Sequence, residues 1–412
     1  SGAPKFAKRK PLLFYFLAHE LFHLIQYSYP TWDNANCEGA PGWIKEGTAT
    51  AVGLAAMKKR FPRSTPTPRS ENEKAMLAGL RRYDEPLAAR HKRKSGNARS
   101  VGKELTTGER IYYHTASFWR HLAAVYYGGK FKYLHTYLTT KVSAGHDWVG
   151  WLRKNVKRDT GTHLSLVFAG FLADYAGWYE KGFPGHRYKR KDWLRGAFGR
   201  CNVVRLDRSS PSKTREIELQ PLSGRCIEVH VDGIDHNDSV AVQVAAEVLK
   251  GPKGARDGIH LGMAESTDQR DMHCAKWTKR DGLRGLGKCI FYPDDGKIRI
   301  HGQEKDARVW NVVAQKKGDP KERRQHRRRG RELMNLYTIS YTPLDVSSRD
   351  TMFGGRNPIT VDMHFVLDVA DLEVDGKKAS TGGKRVTARL SPNPAHDPQT
   401  TLPKQGADGL PA

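Results

Sequence analysis

The pattern of apolar residues changes near Gly182 and divides the 412-residue chain into two parts. Before this point, apolar residues recur every three or four positions, as in "RIYYHTASFWRHLAAVYY", which is typical of amphipathic helices. Beyond it, segments such as "RCIEVHVDG" and "ITVDMHFVLDV" alternate apolar and polar residues. Several strands without intervening helices favour an antiparallel sandwich. We therefore predict a mostly α-helical domain followed by an all-β, antiparallel sandwich-like domain.

Length and local composition predict the domain boundaries. A chain of 412 residues exceeds one ordinary domain, so two folded domains are expected. The basic segment "YEKGFPGHRYKRKDW" separates the two patterns, and the Pro-rich C-terminus resembles a disordered tail. We assign 1–182 to the helical domain, 183–200 to a linker, 201–390 to the β domain and 391–412 to a disordered tail.

The charge of the chain is strongly positive, with 70 Lys and Arg residues against 44 Asp and Glu residues and a formal net charge of +26. Such a field favours contact with an anionic surface or polyanion, but it indicates no particular fold or chemistry. The basic runs "RHKRK", "HRYKRK" and "KKGDPKERRQHRRRGR" lack interleaved aromatic residues. No specific nucleic-acid module is recognised. The basic runs are therefore read as solvated loops that offer a contact for polyanions.

The cysteine content bears on the cellular compartment. Five cysteines are too few for a disulfide scaffold, but Cys201 with Cys226 and Cys274 with Cys289 can form two bridges, leaving Cys37 alone. Five reduced cysteines are the alternative. Oxidised pairs would place the protein outside the cytosol, so we expect a secreted, periplasmic or cell-envelope location.

The most apolar run, Pro11 to Tyr29, contains two histidines and a glutamate. With the basic residues ahead of it, the run resembles a signal peptide, but no small-residue cleavage site follows. It is also long enough to span a membrane, although Glu20 at mid-span would cost about 3 kcal/mol. Pro11 in the first turn and Pro30 just past the end instead punctuate a helix. We predict a buried helix with a functional site and no transmembrane segment.

The ionisable residues of this helix have the spacing of a metal site. His19 and His23 are four positions apart, so both imidazoles project from one face, and Glu20 is rotated by about 100°. H-E-x-x-H is the zinc-peptidase signature, in which the carboxylate takes a proton from metal-bound water. Two core histidines bonded to backbone or water are the alternative. We expect the apolar residues to form the buried back of the helix and the three ionisable residues its metal face.

A third metal ligand must come from another element, because a catalytic zinc usually has three protein ligands and one open position. The segment "GWIKEGTAT" supplies Glu46 at the start of a second helix, followed by small residues that permit close approach. Glu38 and Asp33 are rivals in the preceding loop. Glu46 could instead act only through the helix dipole.

These two motifs together resemble the gluzincin metallopeptidases, the thermolysin and aminopeptidase N type. "AHELFH" matches their H-E-x-x-H, and "WIKEGTA" resembles the aminopeptidase N segment W-L-N-E-G-F-A. The resemblance implies that His19, His23 and Glu46 are zinc ligands and that Glu20 is the general base. Lys45 stands where that family has Asn, so one local contact differs.

The same family has a Y-x-x-G motif on a later helix, whose tyrosine stabilises the oxyanion. The segment "YYHTASFW" offers Tyr113 for this role, with Ala116 in the glycine position. Tyr112 and His114 are alternative donors. Tyr113 could also be an ordinary aromatic core residue of a helix.

The likeness covers about residues 10 to 125 and departs from the family in two respects. The exopeptidase motif G-A-M-E-N is absent, so we expect an endopeptidase rather than an aminopeptidase. Only 18 residues precede His19, where gluzincins place a substrate-binding β-sheet. Either the chain is a piece of a larger protein or its cleft is built differently.

The sequence thus predicts zinc-dependent hydrolysis of a protein or peptide substrate, with Zn²⁺ as cofactor. Glu20 would be the base and Tyr113 the oxyanion donor. Gln26, on the same helix face as His19, could orient a ligand or touch substrate, or it could be a polar residue at a helix edge. The alternative is a basic polyanion- or surface-binding protein with a structural or vestigial zinc site.

Overall fold

The computed structural model describes a helical N-terminal half and a β-rich C-terminal half. The predicted tail lies outside the described residues, and so does the predicted linker apart from Phe198. The described residues are 10–29, 40–62, 83, 87–88, 115–142, 147–177, 198, 201–232, 239–266, 290–291, 293, 295–300, 302–315, 333–347, 357–370, 373–374 and 377–378.

The described part of the N-terminal half contains six α-helices, as its apolar periodicity predicts. The helix expected at "EKAMLAGLRRY" lies outside the described residues apart from Tyr83. No helix in the described ranges combines the length and hydropathy needed to span a membrane. The helices are α1, Lys10–Tyr27; α2, Gly42–Arg60; α3, Ala116–Tyr126; α4, Tyr133–Thr139; α5, Trp148–Thr160; and α6, Leu164–Gly177.

Helix α1 is apolar around most of its circumference, but it buries only one face. The expectation that its apolar residues form the buried back is wrong, because the histidine face is the one that packs inside the protein. Its opposite face is exposed and apolar apart from Lys10 and Glu20. The buried residues of α1 are Pro11, Leu12, Tyr15, His19, Phe22, His23 and Gln26, and its exposed large apolar residues are Leu13, Phe16, Leu17, Leu21, Leu24, Ile25 and Tyr27.

Small residues of α2 let α1 approach closely, as the sequence predicts. A Cβ atom added to Gly53 would lie 3.1 Å from the Tyr15 ring and from the Tyr15 carbonyl oxygen. Leu12 and Tyr15 of α1 form a small apolar cluster with Leu54 and Met57 of α2. The two helices therefore pack closely over the length that carries the histidines.

The N-terminal turn of α2 is fixed from its other side by α3. The Thr115 hydroxyl and the Trp119 indole N–H both donate to the Trp43 carbonyl oxygen, at 2.6 and 3.2 Å. The Trp43 and Trp119 rings also stack, with centroids 6.0 Å apart. Gly47 lies between these groups, where an added Cβ would overlap the Thr115 hydroxyl and lie 2.9 Å from the indole nitrogen of Trp119.

The described part of the C-terminal half forms two five-stranded, mostly antiparallel sheets. The strands are β1, Asn202–Leu206; β2, Ser212–Leu219; β3, Ser223–Val231; β4, Ser239–Lys250; β5, Ile259–Ser266; β6, Ile290–Phe291; β7, Gly296–Ile300; β8, Gln303–Gln315; β9, Leu333–Tyr341; β10, Ile359–Ala370; β11, Glu373–Val374; and β12, Lys377–Lys378. The first sheet has the order β1-β3-β9-β5-β6 and the second the order β2-β10-β4-β8-β7, and β11 pairs with β12 separately.

The alternating pattern predicts most of the long strands, but not β1 or β5. One pair departs from the expected antiparallel arrangement, because β1 runs parallel to β3. In β5 the register shifts between Met263 and Glu265, and residues 259–264 are buried on both faces, so the strand lacks the exposed polar face of an alternating pattern. Inward-facing residues of both sheets, including Val229, Ile339 and Val361, form one apolar cluster.

The helices and the first sheet share a second core. Leu222, Cys226 and Leu336 belong to the same apolar cluster as the helical residues. Backbone hydrogen bonds join Gly224 N–H to the Tyr83 carbonyl and Leu87 N–H to the Leu222 carbonyl. Cys201 and Cys226 form the disulfide that the sequence suggested, whereas Cys37, Cys274 and Cys289 lie outside the described residues.

Replacing Gly47 by Ala tests the packing that fixes the first turn of α2. We expect Gly47→Ala to lower the free energy of unfolding by about 1 to 3 kcal/mol, because the added methyl group has no space beside Thr115 and Trp119. Urea titration followed by tryptophan fluorescence measures the change. Gly296→Ala is the matched control, since its Cβ would meet nothing within 4 Å and a change within about 0.5 kcal/mol is expected. Equal stability of both variants would contradict the packing argument.

Candidate metal centre

The packing of α1 on α2 brings three predicted site residues together. His19 and His23 lie one turn apart on the buried face of α1, and Glu46 lies in the first turns of α2. Nε2 of His23 is 3.0 Å from Nε2 of His19 and 3.2 Å from Oε2 of Glu46. Nε2 of His19 is 3.3 Å from the same Glu46 oxygen. The three atoms form a nearly equilateral triangle.

This triangle fits a zinc ion in both size and chemistry. Bonds of about 2.0 to 2.1 Å in a tetrahedral arrangement hold ligand atoms about 3.3 Å apart. The observed separations of 3.0 to 3.3 Å are close to that value. Two imidazoles and one carboxylate are also the ligand set of one class of catalytic zinc sites. The residues present therefore fit the ion that the sequence motif implies.

A hydrogen bond to Gln26 orients the His23 ring. Nδ1 of His23 lies 2.7 Å from Oε1 of Gln26. An amide oxygen only accepts hydrogen bonds, so Nδ1 must carry the proton that is shared in this contact. In the neutral ring, the lone pair then lies on Nε2, which faces His19 and Glu46. Gln26 thus sets the tautomer that metal ligation requires.

The Gln26 amide is itself fixed by α2. Its NH₂ group donates to the Lys45 carbonyl oxygen at 3.0 Å and to the Thr48 hydroxyl at 2.8 Å. The Thr48 hydroxyl in turn donates to the Ile44 carbonyl oxygen at 2.7 Å. These contacts determine which end of the amide faces His23. Sequence reasoning missed Thr48; its position two residues after Glu46, among small apolar residues, was the available signal.

Two further side chains line the ligands. The Tyr27 ring stacks on the His23 ring with centroids 6.0 Å apart, and the Lys45 ammonium lies 5.8 Å from the Tyr27 centroid. On the other side, the Thr50 hydroxyl makes a long contact of 3.4 Å with Nδ1 of His19. Lys45 therefore contributes its carbonyl group to Gln26 and its side chain to Tyr27.

The electrostatics of the cluster couple its three ligands. Burial alone would raise the pKa of Glu46, but hydrogen bonds with His19 and His23 outweigh it and lower the pKa to about 2. For His23, burial alone would lower the pKa, but the hydrogen bond and charge of Glu46, with smaller effects of Gln26 and Glu20, raise it above 6.5. A proton and a metal ion therefore compete for Nε2 of His23.

Glu20 is the exposed neighbour of the buried ligands. It follows His19 directly in α1, and its side chain reaches solvent rather than the α1–α2 contact. Its negative charge favours the protonated imidazole and so makes a small contribution to the raised pKa of His23. This is the position expected of a group that exchanges protons beside a metal ion.

The remaining predicted site residues lie outside the described residues. These are the proposed oxyanion donor Tyr113, its alternatives Tyr112 and His114, and the rival ligands Asp33 and Glu38. Their roles stay predictions. Thr115, which anchors the first turn of α2, is the described residue nearest to Tyr113 in the sequence.

Two comparisons with known proteins identified no relative of this chain. A scan against protein-family models and a search of curated proteins each returned no match to this chain. The function must therefore be inferred from the contacts of the candidate centre.

Replacing Gln26 by Met tests whether this amide sets the His23 tautomer. Met has a similar length but cannot accept the Nδ1 proton, so the ring loses its orienting contact. We expect zinc affinity to fall by about 10- to 100-fold, the usual effect of removing a hydrogen bond to a ligating histidine. Competition with a chromophoric chelator measures the affinity.

Leu24→Met is the matched control for this experiment, because Leu24 is exposed on the same helix and its apolar side chain cannot donate or accept a hydrogen bond. Its zinc affinity should equal that of the unmodified chain. Equal affinities of the Gln26 and Leu24 variants would show that the amide does not position His23.

The raised pKa of His23 predicts how zinc binding depends on pH. The folded-state pKa lies above 6.5, so protons displace zinc as the pH falls through and below that value. Glu46→Gln removes the interaction that raises the pKa of His23. The pH below which protonation of His23 weakens zinc binding should therefore shift to a lower value, and the zinc affinity should fall at every pH because a ligand is lost. Zinc titrations between about pH 5 and pH 8 test this. If the pH at which zinc binding begins to weaken is the same in both proteins, the coupling of His23 to Glu46 is contradicted.

Proposed function

We propose that the chain is a zinc-dependent endopeptidase in which His19, His23 and Glu46 hold the ion and Glu20 is the general base. The observation that carries this proposal is the triangle of ligand atoms at 3.0 to 3.3 Å, with the His23 tautomer set by Gln26. Two buried histidines and a carboxylate with this second layer of contacts are what a metal ion requires.

The zinc ion, its ligands, Glu20 and Tyr113 would each have a separate role in the reaction. When bound, zinc supplies a Lewis acid that polarises the scissile carbonyl and lowers the pKa of water to about 7. Glu20 accepts the proton of the attacking water and returns it to the leaving amine. Its exposure allows it to reach both substrate and solvent, whereas the buried ligands stay fixed by α2. The Tyr113 hydroxyl would donate a hydrogen bond to the oxyanion that develops on the scissile carbonyl.

The wider architecture is compatible with this assignment. We infer that the helical part has a gluzincin-like catalytic fold and that the two sheets stack as a sandwich, an arrangement supported by their common apolar cluster. The Cys201–Cys226 disulfide supports a secreted, periplasmic or cell-envelope location. The proposed substrate is a protein or peptide, and the basic runs, which lie outside the described residues, would offer contact with an anionic surface.

The substitution Glu20→Gln tests the proposed chemistry directly. Gln occupies nearly the same volume but cannot accept the proton, so we expect hydrolysis of an unfolded, fluorophore-labelled casein to fall by about 10²- to 10⁴-fold. Zinc content, measured by mass spectrometry of the metal, should stay the same because Glu20 is not a ligand. Ile25→Gln places the same residue at another exposed position of α1 and should keep full activity. The proposal fails if the Glu20 variant remains active or the unmodified chain retains no zinc.

A second candidate function is binding of a polyanion or anionic surface, with a structural or vestigial zinc site. The net charge of +26 favours it. The three basic runs that would carry it lie outside the described residues. Salt-dependent binding to duplex DNA or to anionic vesicles that persists after zinc removal, in a chain without peptidase activity, would favour this candidate.

A further inference from the structure

The outward face of the second sheet carries a row of acidic residues. Asp362 on β10 is paired with Glu216 on β2 and with Glu247 on β4. Inward-facing neighbours such as Ile217, Val361 and Ala246 belong to the apolar core, so the three carboxylates project from the opposite face. Like charges directly opposite each other on neighbouring strands destabilise a sheet. A cation bound between them would remove this repulsion.

A buried histidine points into this acidic row. His364 lies two residues after Asp362 on β10, so it projects from the same face, and only 6% of it is exposed. Its Nε2 is 3.7 Å from Oε2 of Glu247 and 3.9 Å from Oδ2 of Asp362. Its Nδ1 lies 3.2 Å from the Thr214 hydroxyl on β2, which holds the ring in this orientation. Nitrogen and oxygen donors from two adjacent strands therefore converge on one point.

We propose that Glu247, Asp362 and His364 form a second binding site for a divalent transition-metal ion. Their ligand atoms all lie within 4.8 Å of one another. Bonds of about 2.1 to 2.2 Å would span the separations of 3.7 and 3.9 Å from Nε2 of His364 to the two carboxylate oxygens at angles of about 120 to 130°, slightly wider than tetrahedral. Both carboxylates are partly exposed, at 17% and 23%, so they have room to close on an ion.

The donor set selects the class of metal. An imidazole nitrogen favours zinc, nickel, copper or iron over calcium and magnesium, and two carboxylates also accept manganese. All three ligands come from the central strands β4 and β10 of the second sheet. The ion would therefore join these strands through their side chains, in addition to their backbone ladder, and act as a structural link.

Lys305 now occupies the edge of this site and competes with the ion. Its ammonium group lies 2.8 Å from Oε2 of Glu247, the same oxygen that faces His364. The Lys305 side chain is 28% exposed, so it can move into solvent when a metal ion binds. This contact provides a test of the site. If Glu247 binds a metal ion, removing the competing Lys305 ammonium group should strengthen metal binding, whereas an ordinary ion-pair network predicts no such gain.

Zinc titration of the full-length, metal-free chain by calorimetry tests the proposal. Asp362→Asn and His364→Gln should each abolish one binding event or weaken it by about 10-fold or more, since even loss of an outer contact to a ligand has that effect. Lys305→Gln should strengthen the same event by about two- to fivefold, the equivalent of a partly exposed ion pair. Ile25→Gln, at an exposed position of α1 outside both sites, is the control and should change neither event.

The result does not depend on the centre between α1 and α2. If that centre fails to bind zinc, one event should remain, insensitive to Glu46→Gln and sensitive to Asp362→Asn. Unchanged zinc stoichiometry and affinity in both Asp362→Asn and His364→Gln, with circular dichroism showing intact sheets, would overturn the proposal and leave an ion-pair network only. Weaker binding in Lys305→Gln would also overturn it.

Discussion

The hydrogen bond between Gln26 and His23 links the chemistry of the candidate centre to the packing of two helices. The amide has a fixed orientation because the Lys45 carbonyl and the Thr48 hydroxyl of α2 accept its two N–H groups. The imidazole then has a fixed tautomer, because the amide oxygen accepts its Nδ1 proton. Close approach of α1 to α2, which Gly53 permits, is the condition for all of these contacts. A change in that packing would alter ligand geometry without changing any ligand.

The two halves of the chain are joined by a common core around α6 and the first sheet. Leu172 of α6 packs against Gly224 of β3. A Cβ atom added to this glycine would lie 2.5 Å from the Leu172 side chain and 2.7 Å from the Ile339 carbonyl oxygen. Buried residues of both sheets belong to one apolar cluster, and the second sheet carries the acidic row on its opposite face. The candidate centre lies between two helices and the acidic row lies on neighbouring strands, so neither depends on the other for its ligands.

Sequence reasoning was most reliable where the constraint is local. The spacing of His19 and His23 is a property of one helix, and the alternating pattern of β10 is a property of one strand, so both could be read directly. Which face of α1 is buried could not be read, because apolar residues occur on nearly every side of it. The place of Gln26 on the His19 face suggested that it could orient a ligand, but the Lys45 carbonyl and the Thr48 hydroxyl that fix its amide could not be identified from the sequence. Strand β5 was missed because both of its faces are buried, so it has no exposed polar face to mark it as an alternating strand.

The short sequence distance between the ligands has a consequence for the order of folding. Glu46 is only 23 positions from His23, whereas Thr214 and His364, which meet in the second sheet, are 150 positions apart. Closing a long loop costs more chain entropy than closing a short one, and folding slows as contacts become less local. The helix pair with its metal ligands is therefore expected to form before the β strands find their partners. A metal ion available during synthesis would meet a nearly complete binding site on a half-folded chain.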